Sequence, residues 1–205
     1  MDKQDYLNEI SNSAKPTATN NTPKIFSSKF FWAGIIGITL FIIIIIVGSA
    51  ISGSKNSIKD KLFSLILHIS YTTDVIKEYQ PHVKSSDLRS YSESLNNVLS
   101  SDTSSLTTYA KEKYDYKTKS IKESVQEEEQ TYKDDLLSDL FNAKITGSLD
   151  FVYAQKLATD ISLIQSRETQ IIKATSDSDL RNTLNTSYES LTVLYDKFNS
   201  FSESK

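Results

Sequence analysis

The 205-residue sequence predicts an all-α protein: a single N-terminal transmembrane helix over residues 30–51, then an antiparallel bundle of four to five helices over residues 57–205. Three observations predict this class. The run "FFWAGIIGITLFIIIIIVGSAI" carries no charge and holds fourteen Ile, Leu, Phe or Val side chains. From Ile58 to Phe201 the apolar residues return at alternating steps of three and four, the period of an α-helix. No segment alternates apolar with polar residues between Asn-Gly or Asp-Gly turns, as hairpin strands would.

Residues 1–29 form a polar leader. "DKQDYLNEI" has enough apolar character for a turn or two of helix. Pro16 and Pro23 stand among small polar residues that cannot bury enough surface to order themselves, so the segment reads as a flexible tail.

The run over residues 30–51 is long enough to cross a bilayer, since twenty-two helical residues rise about 33 Å against a hydrocarbon thickness of roughly 30 Å. At roughly −0.3 to −0.6 kcal/mol for each large aliphatic or Phe residue, its fourteen such side chains favour insertion by about 4 to 8 kcal/mol. Phe30, Phe31 and Trp32 are placed to sit at the headgroup level, and Ile42, Ile44 and Ile46 in the hydrocarbon. A cleaved signal peptide fits less well: its apolar core is about 7–15 residues and comes after a short basic start, whereas here a 29-residue tail comes first. The flanking lysines tie, with Lys15, Lys24 and Lys29 before the run and Lys55, Lys59 and Lys61 after it. Long C-terminal domains cross membranes largely regardless of charge, which favours a cytoplasmic N-terminus and an extracytoplasmic C-terminal domain.

Residues 52–56 read as a short linker. The first bundle helix then carries a seam of Ile58, Leu62, Leu65, Ile69, Thr72, Ile76 and Tyr79, flanked by Phe63, Leu67, Tyr71 and Val75; so wide an apolar face packs against two neighbours. Pro81 ends it. A second helix opens at Ser85 or Ser86, either able to cap, with Leu88, Tyr91, Leu95 and Val98 on one side. "SSDTSS", Ser100–Ser105, is poor in helix formers and predicts a short break, with Asp102 as a cap for the helical segment beyond it. "YDYKTKS", Tyr114–Ser120, predicts another.

A third helix has only a thin stripe of Ile121, Val125 and Tyr132 before it turns amphipathic at Leu136, Leu137, Leu140, Phe141 and Ile145, with Gly147 as its stop. Ser148 is placed to cap a fourth helix with a seam of Ala154, Leu157, Ile161, Ile164 and Ile171. The last begins around Ser176–Ser178 and repeats Leu180, Leu184, Ser187, Leu191, Leu194, Phe198 and Phe201.

Composition excludes several chemistries. Residues 55–205 carry nineteen Lys and Arg against twenty-three Asp and Glu, a net charge of −4 with no basic face for nucleic acid. Without cysteine there are no disulfides or thiolate metal sites. His68 and His82 are the only histidines; His68 reads as a partly buried residue at the edge of the first seam and His82 as a loop residue. No phosphate-cradling glycine loop, Glu-x-x-His pair or nucleophile elbow occurs, and no cofactor is expected. Lys111–Asp135 is the most charged stretch, fourteen of twenty-five residues. Its triplet Glu127, Glu128 and Glu129 reads first as a solvated helix face, supported by a Glu129–Lys133 pair, and second as a protruding acidic surface for a partner or for a divalent cation.

These features lead to a non-enzymatic bitopic protein, its partners a lipid bilayer and another envelope or membrane protein, with room for self-association. The alternative is a ligand-sensing bundle of a membrane receptor component. Such receptors ordinarily combine two spans with a large output domain, so this plan fits them less well.

Overall fold

The structure is a computed structural model that describes residues 55–203, with residues 55–57 described as backbone alone. The tail and the apolar run over residues 30–51 lie outside the described residues. These comprise five long helices and no strand: α1 (Lys55–Tyr79), α2 (Ser86–Tyr114), α3 (Glu123–Thr146), α4 (Leu149–Ala174) and α5 (Ser178–Glu203). Short 3-10 turns, Gln80–His82 and Thr118–Ser120, sit at two of the corners.

Each helix exists because of the face it buries. Along α1, Leu62, Leu65, Ile69 and Ile76 are fully buried, as the seam requires, and Phe63 and Val75 of the flanking stripe are buried beside them. Removing a large aliphatic side chain of this kind from water is worth about 1.5–3 kcal/mol, which outweighs the few tenths lost on a weak helix former. The same balance corrects the expected break at Ser100–Ser105: α2 runs unbroken through it to Tyr114. Leu99, Asp102, Leu106 and Ala110 continue one buried stripe, while Ser100, Ser101, Ser104 and Ser105 face outward. Asp102 is therefore a core residue rather than a cap.

The other expected break is present. α2 ends at Asp115, which takes up the left-handed conformation (φ 51°), with Tyr116 N donating back to Ala110 O. Tyr114 and Tyr116 then pack edge-on against Phe63, sealing the start of α1. α3 ends as the sequence predicts, on Gly147 in the left-handed region, with Ser148 N donating to Ala143 O. Ser148 stands at the N-cap position of α4 as expected, but its side chain makes no capping bond. Its hydroxyl meets Thr146 Oγ1 at 2.9 Å, and the first-turn Asp150 accepts from Lys84 N and Ser85 N, tying the α3–α4 corner to the α1–α2 corner.

Helices α1, α2, α5 and α4 close a four-membered ring, each packing on the next, and α3 lies outside it along the groove between α1 and α4. α3 runs parallel to α1, as the pairs Asp60–Lys122 and Asp74–Lys133 show. α4 runs antiparallel to both, and α5 antiparallel to α4 and α2, with Gln165 reaching Tyr188 and Thr192 and with Tyr91 against Phe198. α3 is thus the peripheral helix, held to the ring mainly along α1 and α4.

Candidate functional site

Between α1, α3 and α4 the core is polar. Ser64, His68 and Thr72 of α1 succeed one another at single helical turns. Glu129 and Tyr132 face them from α3, and Asp160 and Arg167 from α4. His68 Nδ1 donates to Glu129 Oε2 at 2.7 Å, and Ser64 Oγ donates to Glu129 Oε1 at 3.2 Å. Arg167 Nη1 donates to the same Oε1 and, at 2.9 Å, to Ser64 Oγ. Tyr132 Oη donates to Asp160 Oδ1, and Thr72 Oγ1 donates to Asp160 Oδ2 at 3.3 Å. The His68 and Tyr132 rings lie 5.3 Å apart and join the two halves.

The centre of the layer is buried, with His68 1%, Glu129 2% and Asp160 0% exposed, while Ser64, Tyr132 and Arg167 at its margin are partly exposed. Burial alone would raise the Glu129 carboxyl. The His68 hydrogen bond and the charges of His68 and Arg167 outweigh it and hold Glu129 below the usual carboxylate range. Asp160 goes the other way: burial pushes it up, and His68, Arg167 and the bonds from Tyr132 and Thr72 only partly offset this. These bonds tie α3 to α1 and α4. An unpaired charge left here by the loss of one partner would be costly.

A second polar cluster lies inside the ring. Ser187 of α5 is within 2.6 Å of both Asp102 Oδ2 of α2 and Glu168 Oε1 of α4. Glu168 Oε2 is buried with no hydrogen-bond partner among the described residues.

Glu127 and Glu128 are exposed, but Glu129 is not, so the triplet does not act as one surface. The expected Glu129–Lys133 pair is absent for the same reason. Lys133 instead reaches Asp74 Oδ2 at 2.9 Å, its ammonium over the Tyr71 ring. His68 also differs from its expected place at the edge of the seam, being fully inside. A signal for both was present: the thin stripe skips from Val125 to Tyr132, and Glu129 occupies the missing turn between them.

The anchor residues Phe30, Phe31, Trp32, Ile42, Ile44 and Ile46 lie outside the described residues, and no helix among the described residues is long and apolar enough to cross a membrane. No group of three His, Asp or Glu side chains among the described residues converges to hold a metal ion. Phe141 and Ile145, one turn apart on α3, are 56% and 68% exposed. They lie towards the end of the bundle remote from Lys55, where a shallow surface cavity of about 430 Å³ is lined in part by His82, Lys84, Lys144 and Phe151. No protein-family model, characterised protein or solved structure matches the chain.

Proposed function

We propose that this chain is a bitopic membrane protein, held by residues 30–51 with its N-terminus in the cytoplasm, that presents its helical bundle outside the cytoplasm as a non-enzymatic module for protein interaction or envelope structure. The observation that carries this reading is an uncharged run of twenty-two residues joined to a bundle that buries its own core. The burial of His68, Glu129 and Asp160 supports the non-enzymatic part, because these three lie away from the surface, His68 and Glu129 bonded to each other and Asp160 held by Tyr132 and Thr72. Contact with a partner falls on the bundle end bearing Phe141 and Ile145. Two adjacent exposed apolar side chains with Lys144 between them suit a protein surface better than a small ligand.

Alkaline carbonate extraction and protease treatment of intact cells test the anchoring. Retention in the membrane pellet together with digestion of residues 55–205 from outside is expected. Release into the carbonate supernatant removes the anchor, and full protection reverses the orientation. Photocrosslinking from positions 145 and 128 tests the contact, with a specific adduct expected from 145 and none from 128.

A further inference from the structure

The cluster inside the ring has a proton count that its geometry fixes. A serine hydroxyl carries one hydrogen and can donate once. Yet Ser187 Oγ lies 2.6 Å from a carboxyl oxygen on each side, Asp102 Oδ2 and Glu168 Oε1. Two carboxylates cannot both be satisfied by that one hydrogen. Contacts this short between oxygens, buried between three helices, each need a hydrogen between them.

We propose that Asp102, Ser187 and Glu168 form a proton-binding site at the α2–α4–α5 junction, a neutral Glu168 donating to Ser187 and Ser187 donating to an ionised Asp102, and that loss of the shared proton loosens this junction.

The order of the relay is set by burial. Glu168 is 0% exposed and its second oxygen has no partner among the described residues, so its charge would be the costlier of the two. Asp102 is 9% exposed and borders water, so it holds the charge and is the exit for the proton. In the ionisation step the Glu168 O–H bond breaks, its proton passes to water by way of Ser187 and Asp102, and two carboxylates are left on one hydroxyl. Burial, and then the Asp102 charge, push Glu168 up to about 8 despite the bond to Ser187; burial raises Asp102 as well.

Among the described residues, the other charged groups near α4 do not supply a counter-charge. His68 of α1, with Glu129 and Tyr132 of α3, engages Arg167 and Asp160 in the other polar layer; the groups that act on Glu168 are Asp102 from α2 and Ser187 from α5. Glu168 has a folded value above its unfolded one. Its contribution to stability is therefore fully present below the unfolded value of about 4.3, declines as pH rises, and is lost once pH passes the folded value near 8.

The test is infrared titration of the full-length protein in detergent micelles between pH 5 and 9.5, alongside thermal melting. The carbonyl band of a neutral carboxylic acid is expected at pH 7 and should vanish reversibly with a midpoint near 8, while Tm falls from pH 5 and levels off above about 8. Glu168→Gln, which keeps a donor for Ser187, should remove that band and flatten the fall in Tm. Asp102→Asn removes the neighbouring charge and should move the midpoint to lower pH; it serves if Glu168→Gln does not fold. A wild type without the neutral-acid band at pH 7 overturns the proposal. So does a band that persists unchanged in Glu168→Gln, or one whose midpoint Asp102→Asn leaves in place.

Discussion

Replacing Glu129 by Ala should be among the most damaging single changes in the bundle, although the residue ends a run of three glutamates on a highly charged helix. The carboxylate is 2% exposed and accepts from His68, Arg167 and Ser64. Breaking a buried ion pair by removing one partner costs about 3–5 kcal/mol, because the remaining charge stays out of water. Here the lower end applies, about 3 kcal/mol: the Arg167 side chain is 22% exposed and can turn towards solvent, whereas His68 has no such escape. For a urea dependence of about 2 kcal/mol per molar, that lowers the midpoint by about 1.5 M. Far-UV circular dichroism of the full-length protein in detergent at pH 7 reads it directly. Glu127→Ala and Glu128→Ala are the internal controls, each expected within about 0.5 kcal/mol of wild type because both side chains are exposed. If Glu129→Ala moves the midpoint no further than these two, the buried layer contributes nothing and the reasoning fails. The pH dependence carries a second check. Glu129 is held below its ordinary value, so its contribution is present above the usual glutamate range and lost as pH falls through the folded value.

The same helices and corners set three more outcomes. Ser104→Pro should destabilise by about 3 kcal/mol or more, because α2 is continuous there and loses a backbone donor; a neutral result in urea would restore a break at residues 100–105. Gly147→Ala should lower Tm by about 2–4 °C through backbone strain alone, since φ is 75° and an added Cβ meets nothing within 4 Å; an unchanged or raised Tm contradicts the left-handed cap. Phe141→Ser combined with Ile145→Ser should leave Tm within about 1 °C, as neither side chain belongs to the core, yet abolish the crosslink from a neighbouring position; loss of Tm would place them in the fold instead.

Much of the fold is legible in the sequence because an apolar stripe on a helix needs a partner whatever that partner is. Leu180, Leu184, Leu191 and Phe198 announce α5, and the same residues are buried. Local stop signals are equally readable where a single residue sets the backbone, as at Gly147 and at the corner holding Pro81. The differences between expectation and structure share a cause. Ser100–Ser105 resembles a break because propensity counts every side chain equally, whereas stability counts only Leu99, Asp102 and Leu106 on the inward face. Glu129 resembles a solvated charge, and Glu168 and Asp160 carry no sequence signal of burial, because a carboxylate's usual place is the surface.

By itself the sequence determined that residues 55–203 are helical, where most helices begin and end, and which aliphatic residues fill the core, since these depend on spacing along one chain. It also supplied the apolar run over residues 30–51 on which the proposed anchoring rests. Only the tertiary structure decided that α3 stands outside a four-helix ring and that buried carboxylates meet His68, Arg167 and Ser187 there. The physical reason is that a charge enters a core only with its partners, and those partners lie 38 and 61 residues from Glu129 and 19 from Glu168, distances over which no local pattern carries information.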